Sequence, residues 1–184
     1  MTRSKTLTVL AAATTALIAL GAAAPAFAHG DETHQPVAAA PSTPDTRAVV
    51  AVLNQYAAAI SANRIDDVKP LLAPGNDFSF FEGTYVNVGW QSYHDHMAPE
   101  MKLFKDPSYR FTDIRPYASG NLAYATFSWA MDVTVVSKQF DGGQHPVSMQ
   151  GKGTVVLSRI GNDWKIRHLQ TAMASKPRNE GASH

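Results

Sequence analysis

The sequence contains no cysteine, and this absence removes several kinds of site at once. Without a thiol the chain has no disulfide, no lipoprotein anchor and no thiolate ligand for a metal. Any metal site must therefore use histidine and carboxylate side chains, a donor set that suits Zn, Cu, Ni or Fe.

Excess charge of one sign is also missing. Removing Arg3 and Lys5 from the 16 basic residues leaves 14, against 15 acidic ones, and no long basic run occurs. Nucleic-acid-binding domains usually carry a basic patch, so we expect no nucleic-acid partner.

The first 28 residues have the pattern of an export signal. Arg3 and Lys5 precede an uncharged apolar run over 7–24, and Ala26-Phe27-Ala28 supplies a small-x-small cleavage site. We predict a signal peptide over 1–28, a mature chain that starts at His29, and a periplasmic or secreted location. The alternative is an uncleaved anchor, because the run approaches the ~20 residues that span a bilayer. No segment beyond residue 28 is apolar enough to span one.

The remaining chain divides into a tail, one domain and a second tail. Residues 29–44 are rich in Ala and Pro and lack an apolar period, which predicts a flexible segment. Residues 45–174 are enough for one domain with a single core. Residues 175–184 are polar and are predicted to be disordered.

Helical signals come first in this domain. Thr43 is suited to cap a helix whose apolar residues recur at three- and four-residue spacing from Val49 to Ile60. A short helix is predicted over 66–72. A third is predicted over 90–104, kinked or broken by Pro99.

Alternating strand patterns follow, and the clearest covers 121–137. Strands are predicted over 77–82, 85–88, 109–117, 121–137, 146–160 and 164–173. Helices followed by a run of bent antiparallel strands indicate an α+β fold with the helices on one sheet face.

This order of elements resembles the SnoaL-like and ketosteroid-isomerase-like proteins of the nuclear-transport-factor-2-like superfamily, in an exported bacterial branch. The resemblance is carried by QYAAAISANRIDDVKPLLAP, GWQSYHDHMAPEM, YRFTDIRPYASGNLAYATFSWAM and NDWKIRHLQTA. It implies a cone-shaped half-barrel of strongly curved antiparallel sheet around helices, with a pocket between them. It also implies a homodimer, for which the outer face of the long strand offers Tyr124, Thr126, Ser128 and Ala130.

Two residues match the isomerases' chemistry by this resemblance. Tyr56 matches the tyrosine that stabilises an oxyanion, and Glu82 matches approximately the carboxylate that transfers a proton. Either could instead be structural, Tyr56 as a core aromatic and Glu82 as a turn residue that faces water. The isomerases also keep a second, protonated acid. Near its position this chain has Gly151, Lys152 and Gly153, so steroid isomerisation is not expected.

A histidine cluster offers a different chemistry. His94 and His96 lie ~200° apart on a continuous helix, whereas His96 and Glu100 share a face. If Pro99 breaks the helix, both histidines could converge. His168 shares strand alternation with Trp164 and Ile166, so it is predicted to point inward. The candidate metal ligands are His94, His96, Glu100 and His168. His29, as a mature N-terminus, could chelate Cu(II), with His34 nearby.

Three functions therefore stay open. The first is an exported protein that binds a small molecule or a transition metal; its predicted pocket residues are Tyr56, Trp90, Tyr93, Trp129 and His168. The second is an isomerase- or lyase-type enzyme in which Glu82 or His168 moves a proton at carbon while Tyr56 polarises a carbonyl. The third is a dimeric interaction module without catalysis.

Overall fold

The structure, a computed structural model, describes residues 42–174. The predicted signal peptide, most of the first tail and the C-terminal tail lie outside that range. Within it, no helix has the length and apolar character needed to cross a bilayer.

Helix α1 spans Pro44–Ser61 and begins at the predicted cap. The Thr43 hydroxyl accepts a hydrogen bond from the Thr46 amide at 3.1 Å, and the Thr46 hydroxyl accepts one from the Thr43 amide at 2.8 Å. This reciprocal pair satisfies two backbone donors that a helix start leaves open. The apolar face of α1 is buried against the sheet and includes Tyr56.

A short 3₁₀ helix, Ile65–Leu71, follows α1, and helix α2 spans Gly89–Met101. The 3₁₀ helix contains Pro70, which has no amide hydrogen to donate to an α-helical hydrogen-bond ladder. Helix α2 continues through Pro99 without dividing into two helices, and Phe104 already belongs to the next strand. His94 and His96 therefore stay on different sides of one helix.

The sheet has six strands in the order β2-β1-β6-β5-β4-β3. The strands are β1 Ser79–Glu82, β2 Tyr85–Val88, β3 Phe104–Ser119, β4 Leu122–Val136, β5 Gln144–Ile160 and β6 Asp163–Met173. Every neighbouring pair is antiparallel except β1 and β6, which run parallel. The predicted α+β fold of a curved sheet packed with helices is confirmed, and the sheet is mixed because of this one parallel pair.

Burial along the inner sheet face falls from the middle of the long strands towards the start of β3 and β5 and the end of β4. Phe127 and Trp129 are buried under the helices, as the alternation in β4 predicts. Nearer the far ends of β3, β4 and β5, several inner-face side chains are only partly buried: Phe104, Tyr109, Val135, Val147 and Met149. The core is therefore partly exposed at this end of the sheet, where apolar side chains of the long strands lie.

Candidate active site between the helices and the sheet

Two buried tyrosines from different helices form the centre of the site. The hydroxyls of Tyr56 on α1 and Tyr93 on α2 lie 2.6 Å apart, and the two residues are 3% and 0% exposed. Burial raises the pKa of both phenols, so both stay neutral at physiological pH. Tyr109 on β3 extends the cluster, with its ring centroid 6.2 Å from that of Tyr56.

Glu82 places a carboxylate beside these tyrosines. It is the last residue of β1 and lies two positions after the buried Phe80, so it points to the inner face. Burial raises the pKa of Glu82, and the negative charge of Glu100 raises it further, while His96 lowers it. The charge of Glu82 also raises the pKa of Tyr56 and Tyr93, which places the carboxylate within electrostatic reach of the pair.

A hydrogen-bond chain fixes the orientation of His96. The Asn87 side-chain amide donates to the Ser92 carbonyl at 3.1 Å, so its oxygen faces the Nδ1 atom of His96 at 2.8 Å. Since an amide oxygen only accepts, Nδ1 must carry a proton. The Nε2 atom then faces Glu100, 3.6 Å from Oε1. The His96 side chain is 12% exposed and that of Glu100 is 41% exposed. His96 therefore lies on the buried side of this pair, near Glu82, and Glu100 lies on the solvent side.

Glycines in β5 allow aromatic rings to cover the inner face. A Cβ on Gly151 would lie 2.7 Å from the indole nitrogen of Trp129, and a Cβ on Gly153 would lie 2.4 Å from the ring of Phe127. The two rings therefore occupy the space that side chains at these positions would need. An acidic side chain would therefore have no space at Gly151 or Gly153, near which the resemblance places the second acid of the isomerases.

Two buried polar atoms on this part of the inner sheet face have no hydrogen-bond partner among the described residues. They are the indole nitrogen of Trp129 and the hydroxyl of Thr171. Thr171 pairs with Glu82 on one side and with Gly153 on the other. The row Phe127–Gly153–Thr171–Glu82 thus crosses the inner face next to Trp129.

Comparison with known proteins identifies the family of this sequence. The sequence matches the SnoaL-like domain family over residues 49–175, which is more than half of the chain. The protein belongs to the SnoaL-like domain family.

Solved structures share the SnoaL-like fold at low sequence identity. A nuclear transport factor 2-like superfamily protein from Salmonella enterica is 20% identical; the match covers 75% of this chain and 96% of that one, with a TM-score of 0.61. A candidate dehydratase of the same family from Streptomyces avermitilis is 17% identical, with 72% and 97% covered and a TM-score of 0.61. A candidate scytalone dehydratase from Novosphingobium aromaticivorans is 12% identical, with 71% and 85% covered and a TM-score of 0.63. No curated protein sequence matches the chain.

Four of the sequence-predicted residues meet in this SnoaL-like core. Tyr56, Tyr93, Glu82 and Trp129 all face the space between the helices and the inner sheet face. Trp90 lies at its edge: its ring centroid is 6.2 Å from that of Tyr93. It also borders a separate surface depression of about 480 Å³ between α2 and the chain around Pro70.

The predicted inward orientation of His168 was wrong. The pairing of β5 with β6 shifts register between Val156 and Leu157, which leaves Arg167 as an extra residue in β6. Such a bulge reverses the alternation, so Leu169 is buried and His168 turns to the outer face. There its Nδ1 lies 2.8 Å from the Ser79 hydroxyl. His168 therefore does not line the pocket and is not positioned to act as the base.

The four candidate metal ligands do not come together. Of the four, only His96 and Glu100 are close to each other. The ring of His94 lies beside that of Trp90, and its Nε2 is 3.8 Å from Asp66. His168 is on the outer face of the sheet. Within residues 42–174 no group of three or more His, Asp or Glu side chains is arranged to hold a metal ion. The proposed copper ligands His29 and His34 lie outside the described residues.

Sequence reasoning missed three residues of the site. Tyr109 was assigned only to a strand, although its alternation with Phe111 carried the signal of an inward aromatic. Asn87 and Thr171 had no visible signal, because the role of each depends on a partner in another element, His96 in α2 for Asn87 and Glu82 in β1 for Thr171.

Proposed function

We propose that this SnoaL-like domain binds a small, largely apolar carbonyl compound between its helices and the inner sheet face, and that Glu82 transfers a proton at the carbon beside the carbonyl. The proposal is carried by one observation: an inward carboxylate with a raised pKa lies within electrostatic reach of buried tyrosine hydroxyls. This is an isomerase- or lyase-type reaction.

Glu82 suits the role of base. A carboxylate in water is a weak base because its pKa lies far below neutral pH, and a raised pKa brings the group closer to the optimum for proton transfer. In the proposed step the carboxylate takes the proton, the C–H electrons move into an enolate, and the same carboxyl group returns the proton to carbon. No other reactant is needed.

The tyrosine pair suits the role of oxygen donor. Each phenol has one hydrogen, and the bond between Tyr56 and Tyr93 uses only one of the two. The other hydrogen can be donated to the oxygen of a bound carbonyl, where negative charge grows as the proton leaves. Fixed donors of this kind, shielded from water, stabilise such a charge strongly.

Hydrogen exchange at carbon tests the proposal directly. The probe is 4-phenylbutan-2-one in D₂O, with deuterium incorporation beside the carbonyl followed by proton NMR. We expect the wild-type protein to accelerate exchange and Glu82→Gln to lose at least about a hundredfold of the acceleration, within the range that general-base catalysis contributes. Gln keeps the size of the side chain, so probe binding should remain.

The pH profile supplies a second readout. Glu100 raises the pKa of Glu82, so Glu100→Gln should move the midpoint of the exchange rate to lower pH. The matched control is Asp95→Asn on the exposed side of α2, which should leave the midpoint unchanged. Exchange that is equal in wild type and Glu82→Gln would refute the proposal.

A further inference from the structure

The surface depression beside Trp90 has the make-up of a second, separate binding site. It lies between helix α2 and the 3₁₀ helix Ile65–Leu71, and its volume of about 480 Å³ is within the range of about 300 to 1,000 Å³ that small-molecule sites occupy. Trp90 and Leu72 line it with apolar surface, and its charged lining residues are Asp66 and Lys69. The depression therefore combines an apolar wall with one charge of each sign.

Backbone contacts hold the walls of this depression in place. The Ala73 amide donates a hydrogen bond to the Ile166 carbonyl in β6 at 2.8 Å, which ties the segment after the 3₁₀ helix to the sheet. On the other side, α2 begins so close to this segment that a Cβ on Gly89 would stand 3.1 Å from the Gly75 carbonyl oxygen. A site whose walls are already formed loses little conformational freedom when a ligand binds.

The two charged groups are accessible and are not used by other residues. Asp66 and Lys69 lie three positions apart in a 3₁₀ helix, so they project from one face about 6 Å apart along the axis. The Asp66 side chain is 85% exposed, and its one ionic contact within residues 42–174 is to His94 Nε2 at 3.8 Å, too long for a hydrogen bond. The Lys69 ammonium has no carboxylate partner in that range and stands 5.8 Å from the centre of the Trp90 ring.

We infer that this depression binds an α-amino acid with an apolar side chain, separately from the compound proposed to react at Glu82. The ammonium of the ligand donates to the carboxylate of Asp66, and its carboxylate accepts from the ammonium of Lys69. Its side chain packs against Trp90 and Leu72. An α-amino acid carries both charges on one carbon, which suits opposite charges that lie one helical turn apart. An anion would be repelled by Asp66 and a cation by Lys69.

Phenylalanine and two derivatives separate the contributions of the two charges. N-acetylphenylalanine lacks the ammonium, and phenylalaninamide lacks the carboxylate. Proton–nitrogen NMR follows the indole N–H signal that Trp90→Phe removes, while Trp129 and Trp164, each 4% exposed, provide reference signals. We expect phenylalanine to shift the Trp90 signal saturably and each derivative to bind about threefold to fivefold more weakly, as expected for solvent-exposed ion pairs.

Substitutions should remove these preferences selectively. Asp66→Asn should weaken the binding of phenylalanine and phenylalaninamide but not that of N-acetylphenylalanine. Lys69→Gln should weaken the binding of phenylalanine and N-acetylphenylalanine but not that of phenylalaninamide. The matched controls are Asp67→Asn, whose carboxylate pairs with Arg64 on the same 3₁₀ helix, and Lys102→Gln just after α2; neither residue lines the depression. All four substituted residues are exposed, so circular dichroism should show unchanged folding.

Each of three results would overturn the inference. The first is an unshifted Trp90 signal at the solubility limit of phenylalanine. The second is equal affinity for phenylalanine and both derivatives, which would mean that the apolar side chain binds without the charges. The third is an equal effect of the control substitutions. Glu82 does not line this depression, so Glu82→Gln should leave phenylalanine binding unchanged, and Asp66→Asn should leave the proposed exchange at carbon unchanged.

Discussion

Replacing Gly151 by alanine should destabilise the domain more than a substitution at a glycine that has open space around its Cβ position. The added Cβ would stand 1.9 Å from the carbonyl oxygen of Ala172, whereas ordinary contact begins at 3.4 Å. The obstacle is backbone of the neighbouring strand, which cannot rotate away as a side-chain tip can. Strands β5 and β6 would have to separate by about 1.5 Å at this point.

The expected cost follows from two contributions. Overpacking a well-filled core costs about 1 to 3 kcal/mol. Separating the strands also weakens ladder hydrogen bonds nearby, such as the one from the Ala174 amide to the Gln150 carbonyl at 2.9 Å, and each contributes about 0.5 to 1.5 kcal/mol. We therefore expect the free energy of unfolding to fall by about 3 kcal/mol.

Urea denaturation followed by circular dichroism measures this difference. The matched control is Gly120→Asn. Gly120 has φ of 58° and no atom within 4 Å of its Cβ position, and asparagine tolerates that conformation, so the control should stay within about 0.5 kcal/mol of wild type. A loss below about 1 kcal/mol for Gly151→Ala would refute the reasoning that Trp129 and β6 leave no space above this glycine.

Further predictions concern the tyrosine pair, the carboxylate and the molecule as a whole. Tyr93→Phe leaves the Tyr56 hydroxyl buried without its partner and should cost about 1 to 3 kcal/mol in chemical denaturation, while the double change to phenylalanine should recover part of that loss; additive costs would contradict the pairing. Because the pKa of Glu82 is raised, the folded protein keeps the Glu82 proton at pH values above 4.5, at which the unfolded chain has lost it. The folded state therefore loses stability as the pH rises and Glu82 ionises. Glu82→Gln should accordingly raise the thermal midpoint at pH 8 but not below pH 4.5, and a constant difference across pH would contradict the shift. From the predicted signal peptide, the intact mass of the protein isolated from its native cells should lack residues 1–28, and a mass that includes them would rule out cleavage before His29. Light scattering at micromolar concentration should give twice the chain mass; a monomer would exclude the predicted homodimer.

Local sequence signals were sufficient for most of the fold. Thr43 caps α1 as expected because capping depends on residues within one turn. The alternation in β4 predicted its buried face because side chains on a regular strand point to opposite sides in turn. Tyr56 and Glu82 could be placed in the site because each lies on a regular element with a clear apolar neighbour.

The remaining features depend on contacts between different secondary-structure elements. The outward turn of His168 results from a bulge at Arg167, and no residue near it in sequence marks the place where pairing with β5 shifts. The tautomer of His96 depends on Asn87, whose amide is fixed by a backbone carbonyl in α2. The polar atoms of Trp129 and Thr171 have no hydrogen-bond partner within residues 42–174, which strand alternation alone does not predict.

The strand order has a consequence for how the protein is made. Strand β6 comes last among the described strands in sequence but lies between β1 and β5 in the sheet. The β1–β2 pair, which carries Glu82, therefore has no place to dock on the rest of the sheet until β6 has left the ribosome. A chain that stopped before Asp163 would retain the β3–β5 meander but could not join it to Glu82. Glu82 thus gains its neighbours on β6 only after the other described strands have been made, and chains truncated before Asp163 should lose the Glu82-dependent exchange proposed above even where most of their sheet had formed.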